Sequence, residues 1–422
     1  MDEQFLHYIW KFQKFTNEEL QLVDGSSLHI FHQGNHNHDS GPDFEEGRVK
    51  INDIEWAGHI EIHIKSSDWN KHGHQHDKAY NNVVLHVVWE DDEEILVNNS
   101  PIPTLELKGR IDLTLLSKYQ SHLDAKEDVL CTTQLSKVNQ ITISSMLDRV
   151  MSERLEQKAS EILSLLKETK NDWEEAFYCT LARNFGFSVN KDAFVKLATS
   201  LPFKLLKKYT HQPKSIEALL FGQSGFLESA IDEYQVELQK EFKFLQSKHQ
   251  LKDPINKSEW KFGRMRPANF PSVRLSQFAS LISQNPHLFT HLLEVKNVKE
   301  FIQTIHCDLS DYWIAHYDFG KVKKKKGMKI GDTTFHNIII NTLVPILAAY
   351  SKYSGNQHYM DRALELLELV PSENNRITKK WVSIGQNPKN ALDTQAMIQL
   401  YKNYCQPQQC LSCNIGVALL SK

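Results

Sequence analysis

His59-Ile60-Glu61-Ile62-His63-Ile64-Lys65 alternates without a break. Ile60, Ile62 and Ile64 share one side, and His59, Glu61, His63 and Lys65 share the other. A strand has a side-chain period of two, so this stretch predicts a β-strand with an apolar back and an ionisable front. A solvated sheet face accounts for alternation alone. It does not account for four titratable groups in register. Asp43 lies upstream after Gly41-Pro42, and His72, His74, His76 and Asp77 follow closely.

Working outward, Glu3 to Phe15 predicts a short amphipathic helix, and Leu28 to Gln33 and Gly47 to Ile51 predict strands. Asn52-Asp53 is a hairpin signal joining the second of these to the Glu55–Lys65 strand. Ser66 to Asn82 is polar and histidine-rich. Val83, Val84, Leu85, Val87 and Val88 form a near-continuous apolar run, the pattern of a strand buried on both faces. Ile95 to Asn98 and Thr104 to Leu107 are expected to pair as a hairpin across Asn99-Ser100-Pro101, followed by a helix over Asp112 to Ser121. Beyond about residue 125 strand signals fade and helical periodicity takes over. The expected organisation is an α+β domain over 1–125, a helical domain over 126–300, and a helical C-terminal domain over 301–422.

With 422 residues, two or three cores are expected. The formal charge of −3 supplies no global basic field, so any nucleic-acid binding must use a local patch. The N-terminus lacks an apolar leader segment, and the longest apolar run, Ile338 to Ala349, is broken by Asn341, Thr342 and Pro345. A cytoplasmic protein with no membrane span is the expectation. No phosphate-binding glycine loop, dinucleotide fingerprint or nucleophile elbow is present.

Histidine is unevenly spread: 11 of the 20 fall in the first 90 positions, around paired carboxylates. That pattern suits a metal or acid–base site. Asp43 and Glu61 are hard ligands for Mg²⁺ or Mn²⁺. His63 and Lys65 are candidates for handling water and charge. His72 and His74 are candidate ligands of the same cleft, and a histidine ligand shifts preference toward Mn²⁺ or Zn²⁺.

Cys405-x4-Cys410-x2-Cys413 places three thiols within nine residues. The spacing suits structural Zn²⁺ or an iron–sulfur cluster, with a fourth ligand from Cys131, Cys179, Cys307 or His358. Arg264, Arg266 and Arg274, around Gly263 to Pro271, are candidate nucleic-acid contacts, as is the lysine-rich stretch Lys321 to Lys329.

Pro42-Asp43 and Glu61-Ile62-His63, set on a helix–three strands–helix–strand order, resemble the PD-(D/E)xK nuclease superfamily. That resemblance implies a restriction-endonuclease-like core in which an aspartate and a Glu-x-Lys hold a divalent metal. Here His63 stands where lysine is expected, and Lys65 is one strand period further on. Gly41-Pro42-Asp43-Phe44, Ser67-Asp68-Trp69, Leu85-His86-Val87-Val88, Arg266-Pro267-Ala268-Asn269-Phe270-Pro271 and Cys410 to Gly416 together resemble the uncharacterised bacterial domain-of-unknown-function family 2851.

The expected activity is metal-dependent phosphodiester hydrolysis of nucleic acid. The rivals are a non-catalytic nucleic-acid or protein-binding module on the same fold, and a zinc-dependent hydrolase built on the histidine cluster.

Overall fold

The structure, a computed structural model, describes residues 2–37, 40–97, 100–123, 129–295, 297–305, 309–323 and 331–421. The chain is α+β, with a curled mixed sheet in the N-terminal part and mostly helix beyond. It divides into two compact units, residues 1–147 with 400–422, and residues 148–399. The cuts expected near 125 and 300 fall inside these units. The C-terminal cysteines therefore group with the sheet, because Leu411 and Leu420 are buried in the sheet's own core.

In the first unit α1 (Glu3–Lys11) is capped by Asp2, whose side chain accepts from Phe5 N–H at 2.9 Å. The strands are β1 (Leu28–His32), β2 (Asn35–His36), β3 (Phe44–Ile51) and β4 (Ile54–Lys65), then α2 (Asp68–His72) and β5 (Val83–Glu90). Short strands β6 (Leu96–Val97), β7 (Ser100–Pro101) and β8 (Thr104–Glu106) precede α3 (Leu113–Leu123). The sheet order is β1-β3-β4-β5-β8, with β2 paired to β3. β1, β3 and β4 are antiparallel neighbours; β5 runs parallel to β4, and β8 parallel to β5.

The β3–β4 hairpin closes with Ile51 opposite Ile54, and Asn52 takes the positive φ of 50° that such a tight turn needs. The other expected hairpin is replaced. Among the described residues β6 pairs with β7, while Thr104–Glu106 joins the main sheet beside β5. Pro103 marks the switch, its carbonyl accepting from His86 N–H at 2.8 Å.

Ile60 and Ile62 are fully buried with Phe5, Ile9 and Trp10 of α1. The opposite side of β4 is also closed over. Glu61 is 4% exposed and His63 1%, beneath the segment that carries Trp69 and Tyr80. The middle of this ionisable front is thus interior, while His59 is half-buried and Lys65 exposed. Burying Glu61 and His63 there demands partners for each.

The second unit takes in most of α4 (Gln140–Glu168), then α5 (Trp173–Phe185), α6 (Lys191–Ser200), α7 (Phe203–Leu206), α8 (Pro213–Gln223), α9 (Glu233–His249) and α10 (Pro271–Gln284). The helix expected over Thr334 to Tyr353 forms as Asp332–Ile338 and Val344–Ser354 around a wider π turn, Ile339–Leu343. Pro345 has no N–H, which frees the carbonyl of Asn341. Asn184 of α5 donates to that carbonyl at 2.7 Å and to Thr342 Oγ1 at 2.8 Å. Asn184→Leu is expected to leave the carbonyl unpaired and lower stability by about 1 kcal/mol or more. Urea unfolding should show a lower midpoint with an unchanged slope. Among the described residues, no helix is long and apolar enough to cross a membrane.

Candidate metal centre

The sheet brings Asp43 and Glu61 together at adjacent strand positions. Phe44 opposes Ile60, so Asp43 at the mouth of β3 reaches the backbone of β4. Asp43 N–H donates to Glu61 Oε2 at 3.1 Å, and Ile62 N–H donates to Asp43 Oδ2 at 3.0 Å. This reciprocal pair holds both carboxylates with main-chain hydrogen bonds. His7 of α1 adds its Nε2 at 3.2 Å from Asp43 Oδ2.

The corner after β4 is pinned by Asp92, which accepts from Ser67 N–H at 2.9 Å and from Ser66 Oγ at 3.1 Å. α2 then ends at Gly73, whose φ of 79° reverses the chain between His72 and His74. A side chain with a Cβ is strained in that conformation. The reversal turns both imidazoles toward β4. His63 Nε2 lies 3.2 Å from His72 Nδ1 and 3.6 Å from Glu61 Oε1. His74 Nε2 lies 3.2 Å from Glu61 Oε1 without hydrogen-bond alignment, and it has no other partner. His63, His72 and His74 offer ligand atoms all within 4.8 Å of one another.

Trp69, fully buried, packs edge-on against the rings of His63, His74 and His86. Tyr80 stacks on His74 at 3.8 Å between centroids. Behind His63, His86 Nε2 lies 2.8 Å from His63 Nδ1. A neutral imidazole has one N–H. If His63 spends it on His86, its Nε2 lone pair joins ring nitrogens of His72 and His74 that all lie within 4.8 Å of one another, with Glu61 Oε1 beside His63 and His74. Tetrahedral ligands at about 2.0–2.1 Å from a metal stand about 3.3 Å apart, close to the donor separations seen here. The residues therefore fit a cation bound by mixed nitrogen and oxygen donors.

The electrostatics agree with that arrangement. Burial, then the imidazoles of His86, His74 and His72, push His63 down to about 2. Burial and then His74 push His86 down to about 3. Burial raises the Glu61 carboxyl, and the Asp43 charge adds to the rise. Burial alone would lower His7, but its close contact with Asp43 and the charges of Asp43, Glu3 and Glu61 outweigh it.

A histidine depressed in the folded state binds fewer protons there than in the unfolded chain. Its contribution is full above the ordinary imidazole value of 6.5 and is lost as pH falls toward its folded value. Wild-type protein in chelator should therefore lose stability faster than His86→Gln between pH 6 and 4, by up to about 1.4 kcal/mol per pH unit. The comparison cancels the carboxyl contributions. Parallel urea-unfolding profiles for the two proteins would show that His86 charges freely in the fold.

Not every predicted residue joins the cluster. Lys65 is turned to Asp92, with its ammonium 3.5 Å from Oδ2. The carboxylate network at the β4 corner holds it there. Conversely, His7 and His86 join the cluster although no ligand motif in the sequence marks them. His7 was hidden in the apolar pattern of α1; its i+4 spacing from Glu3 was the available signal. A cleft of about 290 Å³ beside the cluster is lined by His7, Lys11, His36, Asn37, Asp43 and Ser412.

The cysteines gather separately within the first unit. Cys405 ends the Tyr401–Cys405 turn, Cys410 opens the Cys410–Ser412 turn, and Cys413 precedes the Asn414–Leu420 helix. That helix packs against the Thr132–Lys137 turn that Cys131 caps. Gly416 allows the approach, since a Cβ there would overlap the Cys410 carbonyl. Burial first, and then Cys413, push the Cys131 thiol up to about 12; burial, Cys413 and Cys131 do the same to Cys410. Of the alternative fourth ligands, Cys179 and His358 belong to the other unit, and Cys307 lies outside the described residues.

The three arginines do not form one patch. Arg264 and Arg266 are exposed, while Arg274 is 6% exposed. Lys321 pairs with Asp318 at 3.0 Å; Lys324, Lys325, Lys326 and Lys329 lie outside the described residues.

The fold and this donor set define an α+β protein with a part-buried histidine–carboxylate cluster on a mixed sheet. A family model described as "Protein of unknown function (DUF2851)" matches residues 3–376, and the chain belongs to that family. The match takes in the whole cluster and α10, and it ends before Cys405. Neither a curated protein nor a solved structure matches the chain.

Proposed function

We propose that the protein is a metal-dependent phosphodiesterase acting on nucleic acid, with its centre at Asp43, Glu61, His63, His72 and His74. The observation that carries this reading is the convergence of Glu61 Oε1 with the ring nitrogens of His63 and His74, at 3.6 and 3.2 Å, beside Asp43. The strand order supports it. Three antiparallel strands followed by a parallel fourth across a helical segment is the order expected of a restriction-endonuclease-like core. A divalent ion at this point would polarise a phosphoryl oxygen and lower the pKa of a water. With three imidazoles in the set, Mn²⁺ or Zn²⁺ suits the donors better than Mg²⁺. His86 orients His63 from behind, and Trp69 and Tyr80 fix the rings.

Lys65, engaged by Asp92, has no part in this reading. Arg264 and Arg266, both exposed, are the proposed contacts to a nucleic-acid backbone; Arg274 is withdrawn from that role by its burial. The imidazole-rich donor set also favours a second reading, a zinc hydrolase acting on a non-nucleic substrate. The two separate in one assay. Purified protein is incubated with single- and double-stranded DNA and RNA in Mn²⁺, Mg²⁺ or Zn²⁺. Cleavage that stops with chelator supports the phosphodiesterase. Inertness on all four substrates, with metal bound, transfers the centre to the zinc-hydrolase reading.

We propose in addition that Cys131, Cys405, Cys410 and Cys413 hold a structural Zn²⁺ or an iron–sulfur cluster, as four thiolates suit either. A cytoplasmic setting is consistent with keeping them reduced.

A further inference from the structure

In the second unit, Arg274 sits one turn into α10 and is 6% exposed as a residue. Its hydrogen-bond partners are all neutral. Nη1 donates to Gln277 Oε1 at 2.9 Å, and Nη2 donates to Asn269 Oδ1 at 2.6 Å and to Thr334 Oγ1 at 3.4 Å. Nε has no partner. No carboxylate among the described residues pairs with it, and burial alone pushes it down to about 10. Arginine is rarely buried without a counter-charge, because an uncompensated interior ion costs several kcal/mol.

This guanidinium lines a cavity of about 250 Å³. The walls are largely apolar, with Phe185, Phe187, Phe194, Val189 and Met265 around it, and Arg274 is the one charged residue among those that line it. The Phe187 ring lies 4.5 Å from Arg274 Cζ. Pro271, the first residue of α10, lines the same cavity, and Phe270 before it supplies no side-chain cap. The first N–H groups of a helix favour negative charge. Pro271 has no N–H, however, and Ser272 and Val273 are not among the lining residues, so the anion-attracting group of this apolar cavity is the Arg274 cation.

We propose that this cavity binds a small organic anion, an apolar body bearing a carboxylate or phosphate head. The head would take Arg274 Nε; the body would lie against Phe187, Phe194 and Met265. The volume is below the range for drug-sized ligands, so a single ring or short chain fits and a polymer does not. The site is independent of the metal centre.

Benzoate and phenyl phosphate are suitable probes, with benzamide as the neutral control, read by calorimetry and thermal shift on the full chain. At least one charged probe should bind saturably, about ten-fold or more tighter than benzamide. Which probe binds separates a carboxylate from a phosphate ligand. Arg274→Met, which keeps length and loses charge, should weaken that binding by about ten- to a hundred-fold. Val189, half-exposed at the wall, offers a second route: Val189→Trp fills the cavity and leaves Arg274 in place. It should remove binding even if Arg274→Met fails to fold. No saturable binding of either probe to wild-type protein, equal binding of benzamide, or unchanged binding in Val189→Trp each overturns the proposal.

Discussion

Glu61→Gln is expected to weaken Mn²⁺ or Zn²⁺ binding at the sheet by more than about 100-fold and to bring hydrolysis to background. Residues that merely orient a ligand change metal affinity by about 10–100-fold, and a direct ligand should exceed that. Glutamine keeps the shape and the bond from Asp43 N–H, so the fold should survive. What it removes is the anionic oxygen that faces His63 and His74. Nucleic-acid binding should persist, because a carboxylate without its metal repels phosphate. His63→Lys sharpens the test. If His63 is a ligand, lysine at a position 1% exposed should abolish metal binding and activity together. Isothermal titration with Mn²⁺ and Zn²⁺, beside the cleavage assay, reads both. Metal affinity indifferent to Glu61→Gln would falsify the proposed centre; activity raised by His63→Lys would mark the histidine as a decayed catalytic position.

Removing the metal from the cysteine site is expected to have the second-largest effect, this time on stability. Structural zinc contributes about 10–16 kcal/mol of binding free energy in small folded sites, and part of that is coupled to folding. At the proposed site the thiols would join the Cys131 turn to the C-terminal turns, both of which belong to the first unit. Elemental analysis should find one zinc, or iron with sulfide, per chain beyond any metal at the sheet. Cys405→Ser/Cys410→Ser/Cys413→Ser should lose that metal and unfold at a clearly lower temperature. Cys131→Ser should reproduce most of the loss, whereas Cys179→Ser should leave the metal in place. Full metal content in the Cys131 variant would remove it as the fourth ligand. Three freely titrating thiols in metal-free wild-type protein would end the site altogether.

The class of the fold was legible because its signals are local. Strict alternation over Ile60, Ile62 and Ile64 and the apolar run in β5 report strands through side-chain periodicity alone. Asn52-Asp53 reports its turn through the residues a tight turn tolerates. The carboxylate pair and the histidine-rich stretch after β4 were equally visible, since donor residue types can be counted along a chain.

What periodicity cannot report is which face a neighbour covers, and this is where tertiary structure decided the rest. The front of β4 carries titratable groups, yet the α2 segment and Trp69 close over its middle, so that Glu61 and His63, on a face that alternation alone describes as polar, lie inside the protein. His7 and His86 enter the donor cluster from α1 and β5, positions far from Glu61 in sequence. Lys65 shares the strand period of Glu61 but is drawn to Asp92, because an ion pair is settled by spatial proximity. Thr104–Glu106 has the pattern of a hairpin partner and instead pairs with β5, since strand pairing is a contest among all available edges. The sequence by itself determined the elements and the chemical inventory. Only the tertiary structure decided the partners, because burial and pairing depend on distances that the chain order does not contain.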